Sequence, residues 1–144
     1  MERKDWTLLV ISEAGSVGLS PVQLQKCLFL LGKNLSDEVG ADFYSFVPYN
    51  YGPFDPAIYS DAQELIDKDL VTLARVSGKK WAYYVVTSSG VMTAQNAASQ
   101  LSPSVREYIK SVVSWVHQLS FVELITAIYR AYPEYQVNSV FITR

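Results

Sequence analysis

Residues 55–86, DPAIYSDAQELIDKDLVTLARVSGKKWAYYVV, decide the fold of this chain. Asp55-Pro56 is typical of a helix start, because a capping side chain precedes a proline whose fixed φ suits the first turn. The spacing of apolar residues then predicts a helix to about Lys68. Residues 71–76 and 81–86 are rich in β-branched and aromatic side chains, and the turn between them predicts a hairpin. The side chains expected to face inward from the helix are Ile58, Ala62, Leu65 and Ile66.

Two helices are predicted before this stretch. Residues 2–13 have the pattern of a short amphipathic helix, with Trp6, Leu9 and Val10 on one side. Ser20-Pro21-Val22-Gln23 is a capping box with proline at the first helical position, which predicts a second helix to residue 34 or 35. Three helices followed by a hairpin is the element order of a winged-helix domain. We therefore expect an α+β, mostly helical, winged-helix-like fold with a β-hairpin wing.

The segment between the second and third helices has weaker signals. Residues 36–41 are either a polar connection or the frayed end of the second helix. Phe43 to Val47 alternates in the manner of a strand. Pro48 to Pro53 is rich in Tyr, Asn and Gly, which predicts a loop.

Extra helices are expected after the hairpin, over about residues 91–98, 102–118 and 120–132. Their apolar stripes close the core or form a subunit interface, and the second alternative would make the protein a homodimer. The members of the last two stripes are Val112, Trp115, Val116, Phe121, Leu124, Ile125 and Ile128.

The length of 144 residues is enough for one domain with its own core. We expect a winged-helix-like core over residues 1–90, a C-terminal helical extension over 91–134 and a tail over 135–144. Within the tail, Val140 to Ile142 fits a short edge strand.

The charge is uneven along the chain, although the net charge is only −2. Residues 35–70 carry eight acids and one lysine, a net charge of −7, whereas the residues before them are at +1 and those after them at +4. An acidic middle segment repels phosphates, so the pattern is unlike that of a nucleic-acid binder. It favours a protein partner with a basic surface.

No pattern of residues indicates catalysis, a cofactor or a metal. The single cysteine, Cys27, lies on the apolar stripe of its helix, and the single histidine, His117, lies near a helix end. One cysteine and one histidine cannot hold zinc without several carboxylates, and the sequence contains no phosphate-binding or nucleophile-elbow motif. We therefore expect a protein that is not an enzyme. We also expect it to be cytoplasmic, because a single cysteine fits a reducing compartment and no apolar run is long enough for a membrane span.

Two motifs in the first half of the chain match a family pattern. Leu24-Gln25-Lys26 and Leu28-Phe29-Leu30 together resemble L-Q-K-L-L-Y/F, and Tyr51-Gly52-Pro53-Phe54 resembles Y-G-P-F/Y/V. Two more follow: Asp61, Leu65 and Asp69-Leu70-Val71 are similar to D-L-x-x-L with G-L-I, and residues 84–90 are similar to Y-x-L-T-x-x-G. Together they resemble the Panacea, or SocA-like antitoxin, domain of bacteria and phages, over roughly residues 5–132.

This resemblance implies a non-enzymatic, antitoxin-like module that neutralises a toxin by direct contact or delivers it to a protease. Tyrosines beside an acidic helix suit such a contact, because tyrosine is frequent at binding hot spots. A structural role remains the alternative, since Gly52 and Pro53 shape a turn and acidic helix faces are often only solvated. The predicted partner-binding residues are Tyr49, Tyr51, Gly52, Pro53, Phe54, Tyr59, Asp61, Glu64 and Asp67.

The alternatives are a winged-helix DNA-binding transcriptional regulator and a phage accessory or anti-defence protein. Arg75, Lys79 and Lys80, beside Trp81, form the basic patch that could touch nucleic acid. Lysines at a hairpin tip also serve solubility and edge protection. The third helix is acidic and lacks arginines that read bases, which disfavours DNA binding through that helix.

Overall fold

The computed structural model describes residues 1–141. Within that range it is an α+β arrangement of seven α-helices, one 3-10 helix and two separate two-stranded antiparallel sheets. The helices are α1 (Arg3–Glu13), α2 (Pro21–Asn34), α3 (Ser36–Val39), α4 (Ala57–Asp67), α5 (Ser88–Ala98), α6 (Pro103–Gln118), α7 (Phe121–Ala131) and the 3-10 helix (Pro133–Gln136). The strands are β1 (Val47–Tyr49), β2 (Gly52–Phe54), β3 (Val71–Arg75) and β4 (Ala82–Val86).

Helix α1 lies at the centre of the fold, in contact with α2, α4, α5, α6 and β4. Its six consecutive residues from Trp6 to Ile11 are all buried. A helix enclosed on all sides needs no polar face. The predicted helix is therefore confirmed, whereas its predicted amphipathic character is wrong.

The predicted helix α2, which begins with a capping box, and the predicted hairpin after α4 are both confirmed. In α2 the Ser20 hydroxyl accepts the Gln23 N–H at 3.2 Å, and the Gln23 side chain accepts the Ser20 N–H at 2.8 Å. Strands β3 and β4 pair from Val71 opposite Val86 to Arg75 opposite Ala82, as the hairpin prediction requires. Leu19 adds one bridge to this hairpin by exchanging two backbone hydrogen bonds with Tyr84.

The segment between α2 and α4 differs from the prediction. Phe43 and Tyr44 are adjacent in sequence and both buried, so residues 43–46 do not alternate and form no strand. The region predicted as a loop is instead the β1–β2 hairpin, with Pro48 opposite Pro53 and a turn at Asn50-Tyr51. Residues 36–39 form a helix of their own, α3.

The C-terminal helices close the core, because their apolar stripes are buried against the rest of the domain. Helix α5 begins at Ser88 rather than at Val91, with the Thr87 hydroxyl accepting the Gly90 N–H. Two members of the stripes, Trp115 and Phe121, stay more than a third exposed. Val140 and Phe141 form no strand, and the remainder of the predicted edge strand, Ile142, lies outside the described residues. Among the helices of residues 1–141, none has the length and apolar character to cross a bilayer.

Candidate functional site

Side chains of α2 hold the β1–β2 hairpin in place. The Gln25 amide donates to the Asp55 carbonyl at 2.9 Å and accepts the Asp55 N–H at 3.0 Å, as a neighbouring strand would. The Lys26 ammonium donates to the Pro53 carbonyl at 3.1 Å. The motifs Leu24-Gln25-Lys26 and Tyr51-Gly52-Pro53-Phe54 therefore lie against each other, and much of their chemistry is used to fix one to the other.

Lys26 is an unusual fixing group because its side chain is buried. The residue is only 2% exposed, and among residues 1–141 no carboxylate lies within 4.0 Å of its nitrogen. Burial removes water from the charged form and lowers the pKa of Lys26 to about 7. The lysine passes beside Gly52, where an added Cβ would lie 3.3 Å from Lys26 Cε. Gly52 has φ +107°, which confirms the predicted need for glycine there.

Asp55 joins the hairpin to α4. One carboxylate oxygen accepts the Ala57 N–H at 2.9 Å and the other accepts the Ser45 N–H at 2.8 Å. The helix begins at Ala57, and Asp55 lies just outside it, so the predicted cap acts as an Asx turn two residues upstream. The carboxylate thus orders both the start of α4 and the irregular segment that precedes β1.

The hairpin presents two tyrosines to solvent. Tyr49 is 48% exposed and stacks on Phe54 with ring centroids 4.6 Å apart. Tyr51 is 42% exposed and meets the ring of Phe121 edge-on at 5.2 Å. Behind them Phe54 and Tyr59 are half-buried, whereas Gly52 and Pro53 are buried. Tyr49 and Tyr51 are therefore the two members of the predicted Y-G-P-F surface that a partner can reach directly.

Asp61 lies inside the molecule, not on the acidic surface predicted for it. The residue is 7% exposed, and its carboxylate accepts hydrogen bonds from Arg3 Nε at 2.8 Å and from the Tyr44 hydroxyl at 2.6 Å. The Tyr44 hydroxyl in turn lies 2.6 Å from that of Thr7. Burial, followed by the nearby Asp61, raises the pKa of Tyr44, so its hydroxyl stays a donor. This network holds α4 against α1, and Asp61 is therefore not part of the candidate surface.

The other two predicted acids remain outside. Glu64 is exposed and its carboxylate lies 3.3 Å from Lys4 Nζ, while Asp67 is exposed and accepts from Gln63 at 2.9 Å. An exposed ion pair of this kind contributes little to stability. The solvent-facing acids of α4 are thus Glu64, which pairs with α1, and Asp67, which bonds within α4.

We expect Asp61→Asn to lower the free energy of unfolding by about 2 kcal/mol, because the partly buried Arg3 loses its counter-charge while the volume is unchanged. The matched control is Asp67→Asn on the same helix, where we expect a change within about 0.5 kcal/mol. Urea unfolding of the two variants measures both values. Equal effects would show that the Asp61 network carries no special stability.

A groove of about 660 Å³ opens beside Tyr51. The β3–β4 hairpin contributes Lys79, Lys80 and Trp81 to its lining, and the starts of α2 and α7 also line it. The structure therefore brings Tyr51, predicted for protein binding, to the same groove as Lys79 and Lys80, predicted for nucleic-acid contact. Arg75, the third predicted basic residue, is exposed but does not line the groove.

Sequence reasoning missed Phe121 as a contributor to this groove. Phe121 is 39% exposed and lines the groove, whereas its neighbour Val122, 57% exposed, does not line it. Phe121 has the same helical spacing to Leu124 and Ile125 as a core residue, so no sequence signal separates it from the buried stripe. Its place in the first turn of α7, at the edge of the core, is what leaves it open.

Cys27 and His117 take no part in the groove. Cys27 is fully buried as predicted, and burial raises the pKa of its thiol. The His117 ring contacts the Gly18 carbonyl at 2.9 Å. Within residues 1–141 there is no group of three or more His, Cys, Asp and Glu side chains that could hold a metal ion. The aromatic and basic side chains that line the groove are Tyr51, Lys79, Lys80, Trp81, Tyr83 and Phe121.

No family model matches the chain, and no curated protein is similar to it.

Proposed function

We propose that this chain is a non-enzymatic protein-binding module, and that its partner docks on Tyr49 and Tyr51. The observation that carries the proposal is the exposure of both rings on a hairpin that Gln25 and Lys26 fasten to α2. An aromatic side chain on a rigid support buries a large area on binding and loses little conformational entropy. Binding needs no cofactor, and the proposed location is the cytoplasm.

The resemblance to the Panacea domain supplies the kind of partner. An antitoxin of this type binds a toxin and blocks it directly, or delivers it to a protease. The proposed winged-helix character is supported by the Leu19–Tyr84 bridge, which pairs one residue of the α1–α2 connection with the β3–β4 wing. In this description the β1–β2 hairpin is an insertion before the third helix of the winged helix, α4. A phage accessory protein would use the same surface on a different protein.

A winged-helix DNA-binding regulator is the second candidate. It is favoured by Lys79 and Lys80, which are exposed and, within residues 1–141, have no carboxylate within 4.0 Å. Against it, the exposed side of α4 presents Glu64 and Asp67, which phosphates would repel. Binding to duplex DNA that weakens steeply with added salt would favour this candidate.

The test is co-expression of the chain with the product of the adjacent gene, followed by co-purification and a growth assay. We expect a stable complex, rescue of growth, and at least about a 30-fold loss of affinity in the double variant Tyr49→Ala, Tyr51→Ala, since hot-spot side chains contribute about 2 kcal/mol or more. The matched control is Trp115→Ala, an aromatic of similar exposure (37%) on α6.

Thermal unfolding of both variants checks that each still folds. If no complex forms, or if the tyrosine variant binds as tightly as the Trp115 control, the proposal fails.

A further inference from the structure

The aromatic wall and the basic rim of one groove carry an inference about the chemistry of the partner. We infer that the groove between Tyr51 and the wing receives an acidic segment of the partner protein with one bulky apolar side chain, which enters between Trp81 and Phe121 while its carboxylates meet Lys79 and Lys80. This inference rests on the proposed function.

The walls of the groove suit an apolar anchor. Trp81 is 38% exposed and Phe121 is 39% exposed, and both line the groove together with Val22 and Leu124. Large exposed apolar groups gathered around a concave surface typically mark an interaction site. A volume of about 660 Å³ lies within the range of ligand-sized clefts and accommodates an aromatic or aliphatic side chain with its flanking backbone.

The rim of the groove suits negative charge. Among the described residues 1–141, none that lines the groove is acidic, whereas Lys79 and Lys80 both line it. The Lys79 nitrogen lies 6.0 Å from the centre of the Trp81 ring, so a cation and an aromatic face are presented together. With no carboxylate within 4.0 Å in residues 1–141, both lysines are available to pair with a partner's acids.

The N-termini of α2 and α7 both lie at the groove, but they contribute unequally to its positive potential. Helix α2 starts at the groove with no acid in its first turn, and a glutamine completes its capping box. Its positive dipole end is therefore not offset by a side chain. Helix α7 has Glu123 in its first turn, where the carboxylate accepts the Ser120 N–H at 2.9 Å and offsets that dipole. Because side chains cap both helix N-termini, these helix ends supply an electrostatic potential and not free N–H donors.

The same charge pattern orients the partner. Glu64 and Asp67 are exposed on α4, and no residue of that helix lines the groove. An acidic segment is repelled by α4 and attracted by the wing, so approach of the partner in the reverse orientation is disfavoured.

A protein segment fits the groove better than a nucleic acid does. Two lysines supply few phosphate contacts, while specific nucleic-acid binding usually draws on many. The interior of the groove is largely apolar, which favours a side-chain anchor over a phosphate backbone.

The first test uses fluorescein-labelled twelve-residue peptides in an anisotropy titration. One peptide consists of Asp and Glu around a central Leu-Trp pair, the second replaces the acids with Lys, and the third replaces Leu-Trp with Ala-Ala. A twelve-nucleotide oligo-dT is titrated in parallel. We expect only the first peptide to bind measurably, and its affinity to fall at least about tenfold between 50 mM and 300 mM salt because the contacts are partly electrostatic.

The variants locate the contact. Lys79→Glu with Lys80→Glu, and separately Trp81→Ala, should each reduce affinity for the first peptide at least tenfold. The matched control, Arg106→Glu with Lys110→Glu on α6, makes the same change in charge at two exposed positions outside the groove and should have no effect. Tighter binding of the lysine peptide or of oligo-dT, or equal loss in the control, would overturn the inference.

The same variants are then measured in the complex with the adjacent gene product. If that complex depends on Tyr49 and Tyr51 but is unaffected by the lysine reversal, the inference fails and the proposed function stands. If the acidic peptide binds through the lysines but no complex forms, the groove assignment stands and the proposed partner is wrong. Sedimentation that shows a dimer broken by the lysine reversal would make a second copy the occupant and overturn the inference.

Discussion

Gly90→Ala should lower the free energy of unfolding by about 3 kcal/mol, although alanine is intrinsically the better helix former by about 1 kcal/mol. Gly90 lies in the first turn of α5, where an added Cβ would overlap the Leu70 carbonyl oxygen and lie 2.7 Å from Val86 Cγ2. The Leu70 carbonyl is backbone that accepts the Thr87 N–H at 3.1 Å, so it cannot move away without breaking the start of α5. Steric overlap therefore outweighs helix propensity.

Gly78→Ala is the control for this prediction. Gly78 has φ +81° but no atom within 4 Å of an added Cβ, so alanine there costs only the backbone strain of about 1 kcal/mol. Urea unfolding of both variants separates strain from overlap. A Gly90 variant as stable as the Gly78 variant would mean that α5 shifts to make room.

Lys26→Met should raise the free energy of unfolding by about 2 kcal/mol at pH 6, and this gain should shrink as the pH rises toward 10. The pKa of Lys26 falls from 10.5 to about 7 on folding. This pKa shift sets an upper limit of about 5 kcal/mol on the stability gained by removing the buried charge. Loss of the hydrogen bond to Pro53 subtracts about 1–3 kcal/mol from that gain. Methionine has a similar length and carries no charge.

The direction of this pH dependence follows from whether the folded or the unfolded protein binds more protons. Below pH 7 the lysine is charged in both the folded and the unfolded protein, so the cost of the buried charge is fully present. Between pH 7 and 10.5 the unfolded chain holds more protons than the folded one, and the wild type therefore gains stability as the pH rises. Methionine does not titrate, so its advantage over lysine falls by about 4 kcal/mol between pH 7 and pH 10 and changes sign, because the loss of the hydrogen bond to Pro53 remains.

Chemical denaturation at pH 6, 8 and 10 measures this pH dependence, with Lys110→Met on the exposed side of α6 as a control expected to show no such trend. A Lys26→Met protein less stable than the wild type at pH 6 would show that the bond to Pro53 is stronger than the desolvation of the charge.

Local rules predicted the elements whose signals lie within a few residues. The capping box at Ser20 and the hairpin after α4 need no information from the rest of the chain. The strand predicted over residues 43–47 is wrong for residues 43–46, because contacts with distant parts of the chain decide their conformation. Tyr44 is turned inward by Asp61 and Thr7, and Phe43 packs where Gly32 leaves room, so distant partners override the alternating pattern.

The candidate site was found only in part for the same reason. Tyr49 and Tyr51 were predicted from a local motif and are exposed. Asp61 was placed outside because it carries a charge, but its partner Arg3 is 58 residues away in sequence. The groove is lined by the start of α2, the β3–β4 hairpin and the start of α7, and no linear pattern indicates that these three segments meet.

The central position of α1 has a consequence for synthesis on the ribosome. This helix is made before every element that encloses it, and α6, one of its neighbours, ends at Gln118. Until those helices emerge, the apolar run from Trp6 to Ile11 has nowhere to be buried, and the loops that must close are long. Nascent chains therefore keep part of this apolar segment unburied until α6 has emerged, which favours binding by chaperones and makes unfinished chains substrates for proteolysis.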